Sequence, residues 1–362
     1  MRPLILVDGT TPKSKYQGKL IIVTCQDANI QIYPLAFDIV DSENDMSMRW
    51  FFTKLRKVIG KVEDLAFVTN RGHPLINGIA EVFPDAHHEY CMYHIQGNLK
   101  IRYTSKGIIS LFRRATEAYS AEECNKFMVE IRSKSFDAWD YLTKMGMEHW
   151  ARSFFSGRRY NMMTSNNAKC LNTLFKKDQE LLILALIENI RTKLQQWLHD
   201  RRAKSQNCTS VLAPAQKEKL FKAAKLVRQL NVEPLDESGF SVQCTRNTAY
   251  IVDLTDKTSN CKKIQLETFS CQHAVAVAMY RGFVARTLCS HYYMTDYWRA
   301  ANTETIFPLS NEVEWKVPDH IRPLNTLLPP LIESRGLGHL VHLEYHLSEN
   351  FLDRIGAVSA NQ

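Results

Sequence analysis

Three small groups of ligand-type residues carry the chemistry open to this chain. Pro3-Leu4-Ile5-Leu6-Val7-Asp8-Gly9-Thr10 is a short apolar strand that ends on a carboxylate. Carboxylates suit Mg²⁺, and metal-dependent phosphoryl transfer draws its ligands from neighbouring strand ends, because a sheet holds distant residues on a rigid base. The end of a later apolar strand, at position 70, could supply such a neighbour, and it holds Asn70. Taken alone, Asp8 reads as a turn carboxylate before Gly9. The second group is Cys261, Cys271 and His273, spaced C-x₉-C-x-H. Thiolates and imidazole are zinc ligands, and structural zinc sites close with four of them. The fourth place is open: Cys244 from the preceding strand or a water could fill it, and Cys261 and Cys271 could equally be reduced thiols in a small core. Cys91 and His94 form a third pair, C-x-x-H, which alone is more often structural than metal-binding. His87 and His88 precede it, and strand alternation sends them to opposite faces.

Stepping from these residues to what must position them, residues 4–41 read as three strands: Leu4–Val7, 18–25 and 30–40. A helix over 43–60 buries Phe51, Leu55, Val58 and Ile59 on one face. A fourth strand follows at 64–69, then a helix with Pro74 in its first turn and a fifth strand over 87–93. This order is mixed α/β. From 95 to 232 the pattern is helical, with Cys124, Phe127, Met128 and Ile131 on one face and Ile183, Ile187, Ile190, Leu194 and Trp197 on another. The polar run 201–214 reads as a linker or exposed turn. Residues 241–254 are strand-like, the Cys/His segment follows, and a helix spans 274–281. We divide the chain into 1–100, a helical insertion at 101–232, a small module at 241–285 and a tail at 286–362.

The composition is that of an ordinary soluble globular protein, with 45% hydrophobic and 23% charged residues. No apolar run is long enough to span a bilayer, and no signal peptide or membrane partner is expected. Nine cysteines, an odd and unevenly spaced set, argue against a disulfide framework. The net charge of +8 permits contact with nucleic acid without demanding it. Lys100, Arg102, Lys106, Arg113 and Arg114, interleaved with Tyr103 and Phe112, are a phosphate-contacting patch or, more simply, a solvated helix face.

Several short motifs together resemble Mutator-like element (MULE) transposases. They are Asp8-Gly9-Thr10, Lys15-Tyr16-Gln17-Gly18, Pro34-Leu35-Ala36-Phe37, Val40-Asp41-Ser42-Glu43-Asn44-Asp45 with Trp50-Phe51-Phe52, and Glu81-Val82-Phe83-Pro84. Cys91-Met92-Tyr93-His94 and Arg159-Tyr160 through Thr164-Ser165-Asn166-Asn167-Ala168 complete the set. The Cys261-Cys271-His273 pattern and its flanks resemble the SWIM zinc finger, whose leading cysteine would fall at Ser259.

The resemblance implies an RNase H-like mixed sheet with a helical insertion, an Asp-Asp-Glu metal site, a following SWIM module, and a nuclear protein with DNA or protein partners. Asp8 matches the first acid, but Asn70 and Lys169 stand where the second and third belong. The family site carries three negative charges, whereas these three side chains sum to none. Lysine repels Mg²⁺ and only donates hydrogen bonds. We therefore expect no transposase activity and no Mg²⁺, zinc on an incomplete ligand set, and either an Asp8–Lys169 ion pair or a solvated Lys169. The alternative is a residually active nuclease that recruits Glu43, Asp45 or Asp64; Glu43 and Asp45 read more simply as helix-start acids. The family's N-terminal DNA-binding region is expected to be absent, and the tail with Gly336-Leu337-Gly338-His339 departs from the family's basic end.

Overall fold

The computed structural model describes residues 1–12, 18–103, 107–228, 230–245, 248–309 and 314. Lys15, Tyr16, Gln17, Lys106 and the Gly336–His339 segment lie outside the described residues.

The first sheet has five strands: β1 (Leu4–Thr10), β2 (Lys19–Gln26), β3 (Ile32–Val40), β4 (Ala66–Thr69) and β5 (His87–Tyr90), in the order β3-β2-β1-β4-β5. The β1–β2 and β2–β3 pairs are antiparallel, while β1–β4 and β4–β5 are parallel. The mixed α/β expectation therefore holds. Antiparallel neighbours need only a turn, whereas each parallel step needs a crossover, here helix α1 (Asp45–Ile59) and then α2 (His73–Val82).

The sheet is covered on both faces, which is why β1 is apolar without interruption. Ile5, Val7, Ile21 and Val23 pack under α1 and α2 with Phe52, Phe67 and Phe83. Leu4 and Leu6 face the other way, onto Phe155, Tyr160, Leu212 and Tyr293. Asn44 starts α1 by accepting a hydrogen bond from Ser47 N at 2.9 Å, and Gly60 ends it at a φ of 66°. The two covering helices approach closely at Gly78, where a Cβ would lie 2.8 Å from Phe52 Cδ2. Gly78→Ala should cost about 1–3 kcal/mol of overpacking, partly offset by about 1 kcal/mol of helix propensity. Urea unfolding of the variant checks the net loss.

Helices α3 (Met92–Arg102), α4 (Ile108–Glu117), α5 (Ala121–Lys134) and α6 (Phe136–Lys144) build a separate core around Phe112 and Trp150. The buried Trp150 Nε1 donates to Leu142 O at 3.1 Å. Phe112 is thus core, while Arg102 and Arg114 lie over the rings of Tyr141 and Phe127, and Arg113 bonds Gln96. Helices α7 (Asn166–Leu174) and α8 (Ile183–Gln206) return to the sheet, burying Ala168, Leu171, Leu186 and Ile190 against Leu20 and Ile22.

Two expectations are corrected here. The run 201–214 is a connecting segment only over 207–213: its first residues continue α8 to Gln206, where Arg201 lies over Trp197 and donates to Ile32 O. The fifth strand stops at Tyr90, and Cys91 becomes the cap residue of α3.

Beyond α9 (Pro214–Leu226), strands β6 (Asn231–Pro234), β7 (Gly239–Thr245), β8 (Thr248–Asp253) and β9 (Thr258–Ser259) form an antiparallel sheet. Short α10 (Lys263–Glu267) and α11 (Gln272–Arg281) pack with it around Phe240, Val242, Val252 and Val275. Helix α12 (Thr295–Ala301) lies against α8. Among the described residues no helix is long and apolar enough to cross a membrane.

Candidate functional site

The order of the first sheet sets the ends of β1 and β4 side by side. Asp8, one step past Leu6 on the same face, is only 6% exposed. Burial raises its pKa, against the pull of His94 and Lys169 and the hydrogen bond with Asn172, and Glu43 pushes the same way as burial. His94 Nε2 lies 3.8 Å from Asp8 Oδ1. The C-x-x-H pair sits on the first turn of α3, where positions three apart share a face. His94 is raised in pKa, first by its hydrogen bond with the Cys91 sulfur, against burial, and further by Cys91 and Asp8 charge. The buried Cys91 Sγ also accepts from Ser165 N at 3.2 Å, fastening the start of α7 to the sheet. His87 and His88 do part to different faces: His87 pairs with Ser156 Oγ and His88 with Thr69 Oγ1.

Lys169 and Asn172 project from one side of α7 toward the Asp8 region. Lys169 Nζ stands 3.9 Å from the centroid of the Tyr93 ring, a cation–π seat, and its charge still reaches Asp8. The direct Asp8–Lys169 ion pair is replaced by the His94 contact. Asn70 follows β4, and its Oδ1 accepts from Gly72 N at 2.8 Å, so the amide is engaged in a local turn.

Glu43 is closer to this centre than its place before a helix suggested. A Cβ on Gly72 would lie 2.5 Å from Glu43 Oε1 and 3.0 Å from Asn70 Oδ1, and one on Gly9 would lie 3.3 Å from Glu43 Oε2. The carboxylate therefore spans the ends of β1 and β4. The signal was available: Asn44 is the N-cap, so Glu43 precedes the helix and its side chain is free to turn back over the sheet. Asp45 instead bonds Asn77, and Asp64 pairs with Arg158 at 3.5 Å.

The second centre brings together Cys261, Cys271 and His273, with one ligand atom of each within 4.8 Å of the others; this is the group of that kind among the described residues. β9 delivers Cys261, while Cys271 and His273 open α11. Cys271 Sγ caps the helix by accepting from Ala274 N at 3.4 Å, and lies 4.0 Å from His273 Nδ1. The His273 ring stacks on Tyr250 at 4.0 Å and 15°, and its Nε2 is 3.2 Å from Gln272 Nε2. Ser259 Oγ donates to Cys261 Sγ at 3.2 Å. The Cys261 thiol is pulled down in pKa, first by a hydrogen bond from Cys271 and then by His273 and Ser259, while Cys271, the donor, is pushed up. Two sulfurs and an imidazole, already held close together, are a donor set that fits zinc. The stacking Tyr250 carried no signal in sequence spacing.

Residues 4–98 match the MULE transposase domain. That segment is thus similar to a MULE transposase domain, and the match takes in Asp8, Glu43, Asn70, Cys91 and His94. No curated protein matches it.

Proposed function

We propose that the chain is a catalytically inactive transposase derivative that holds zinc in a SWIM-type finger and binds DNA in the nucleus. The observation that carries the loss of cutting is the set of partners around Asp8. Its carboxylate faces a histidine inclined to protonate and the field of Lys169, where a metal site needs converging carboxylates. Asn70 offers a neutral oxygen already bonded to Gly72. The strand pattern, three antiparallel then two parallel through helices, supports an RNase H-like reading of the first sheet. The C-x-H turn at the start of α11 behind a strand supports the SWIM reading.

A supercoiled-plasmid nicking assay with Mg²⁺ or Mn²⁺ tests this. No metal-dependent product is expected from the wild type, and none from Asp8→Ala. The combined change Asn70→Asp and Lys169→Glu restores the three acids and should produce metal-dependent thermal stabilisation, since a ligand bound only by the native state raises its stability by mass action. Glu43 favours a second reading, residual nuclease activity from an Asp8–Glu43 pair. Wild-type nicking abolished by both Asp8→Ala and Glu43→Gln would establish that reading in place of ours.

A further inference from the structure

The cluster of Cys261, Cys271 and His273 supplies three ligands, and a closed structural zinc site takes four. Ser259 stands where a fourth would be sought, but its hydroxyl is spent as a donor to Cys261 Sγ and also accepts from Cys261 N at 3.3 Å. That is the role of a group steadying a ligand, and a serine hydroxyl keeps its proton at neutral pH.

The opposite wall is β7. Phe240 and Val242 face inward, both fully buried, and Val242 is paired with Tyr250, whose ring covers His273. The next position on that face is Cys244. The β7–β8 register slips between Gln243 and Thr245, so Cys244 is the extra residue of a bulge. Bulges re-aim a side chain beside a functional site. Among the described residues the Cys244 thiol makes one long S–H···O contact, to Val242 O at 3.9 Å. A weakly held sulfur on a bulge of β7, next in line after the partner of the residue that stacks on the imidazole, is what a missing ligand requires.

We propose that Cys244 is the fourth ligand, making the site Cys₃His with Cys244, Cys261, Cys271 and His273. This rests on the zinc reading above. Closure turns the Cys244 side chain from the Val242 carbonyl toward Cys261. The cysteines bind as thiolates, so the site formed is three sulfurs and one imidazole.

The test uses the full chain, with zinc and with Co²⁺ as a spectroscopic probe. Wild type should hold one zinc per chain, and Cys244→Ser should weaken it by more than about 100-fold, beyond the usual effect of an outer-shell change. Thiolate-to-cobalt absorption should fall by about a third, from three sulfurs to two. Adding Ser259→Cys to Cys244→Ser should restore affinity and absorption, which separates a ligand role from a folding defect. If Cys244→Ser keeps wild-type affinity and absorption, Cys244 is not a ligand although the zinc reading stands. If wild type takes up no zinc, both fail together.

Discussion

Arg159→Met should destabilise the protein by about 3–5 kcal/mol, the range for leaving one partner of a buried ion pair alone. Arg159 Nε lies 2.5 Å from Glu89 Oε1, with both side chains almost wholly out of water. Glu89 is on β5 and Arg159 in the segment that leads to α7, so the pair binds that segment to the sheet. Burial pushes the Glu89 carboxyl up to about 8, even against the charge and hydrogen bond of Arg159. Arginine does not give up its proton in proteins, so Arg159 remains the charged partner that draws the Glu89 carboxyl toward its ionised form. Without Arg159 only the more weakly acting charge of Arg152 opposes the desolvation of Glu89.

The sign of the pH dependence follows. Glu89 has a folded pKa above its unfolded value, so the folded state binds more protons between the two, and stability falls as pH rises through that window. The Arg159→Met penalty should therefore be smaller near about pH 5 than near about pH 8, as read by urea unfolding at both. Glu89→Gln combined with Arg159→Met should recover much of the loss, because two neutral groups pay no ionic desolvation. A single-variant loss under about 1 kcal/mol would mean that water reaches the pair in solution.

This pair also marks the limit of what the sequence discloses. Arg159 was visible as a motif residue beside Tyr160, but its partner lies seventy positions away on a strand whose alternation says only that Glu89 points inward. Local patterns were easier. The unbroken apolar run Leu4–Val7 is legible as a buried strand, and the periodic Phe51 and Leu55 are legible as one face of a helix, whose start falls after Asn44 rather than at 43. The Cys261-Cys271-His273 group was legible because its ligands are close in sequence. What was not legible is set by tertiary contact. Glu43 reads as a helix-start acid until the ends of β1 and β4 are adjacent. Lys169 reads as a charge seeking Asp8 until Tyr93 offers its ring. Arg201 reads as linker until the Ile32 carbonyl accepts from it.

Removing zinc should loosen residues 250–281 and leave the first sheet intact. The backbone between the ligands supplies the reason. Helix α10 has only five residues and is flanked by Lys262 and Thr268, both in the left-handed region, at φ of 60° and 51°. Non-glycine residues resist this conformation by about 1 kcal/mol or more each, so the turn persists only where its surroundings hold it. A metal joining Cys261 on one side of α10 to Cys271 and His273 on the other is such a clamp. Part of the module has other anchors: Glu267 pairs with Lys219 at 2.9 Å and accepts from the Tyr119 hydroxyl, and Val275 and Val277 are packed in the core. The loss should thus fall short of the roughly 10–16 kcal/mol that zinc supplies to isolated finger peptides. Hydrogen exchange with and without a strong chelator measures it. Protection should drop at the amides of Cys261–Ala274, including the Ala274 N–H that Cys271 Sγ accepts, while those of β1 and β2 stay unchanged. Protection unaltered by chelation would show that packing alone holds the turn, and that the two sulfurs and the imidazole no longer bind metal.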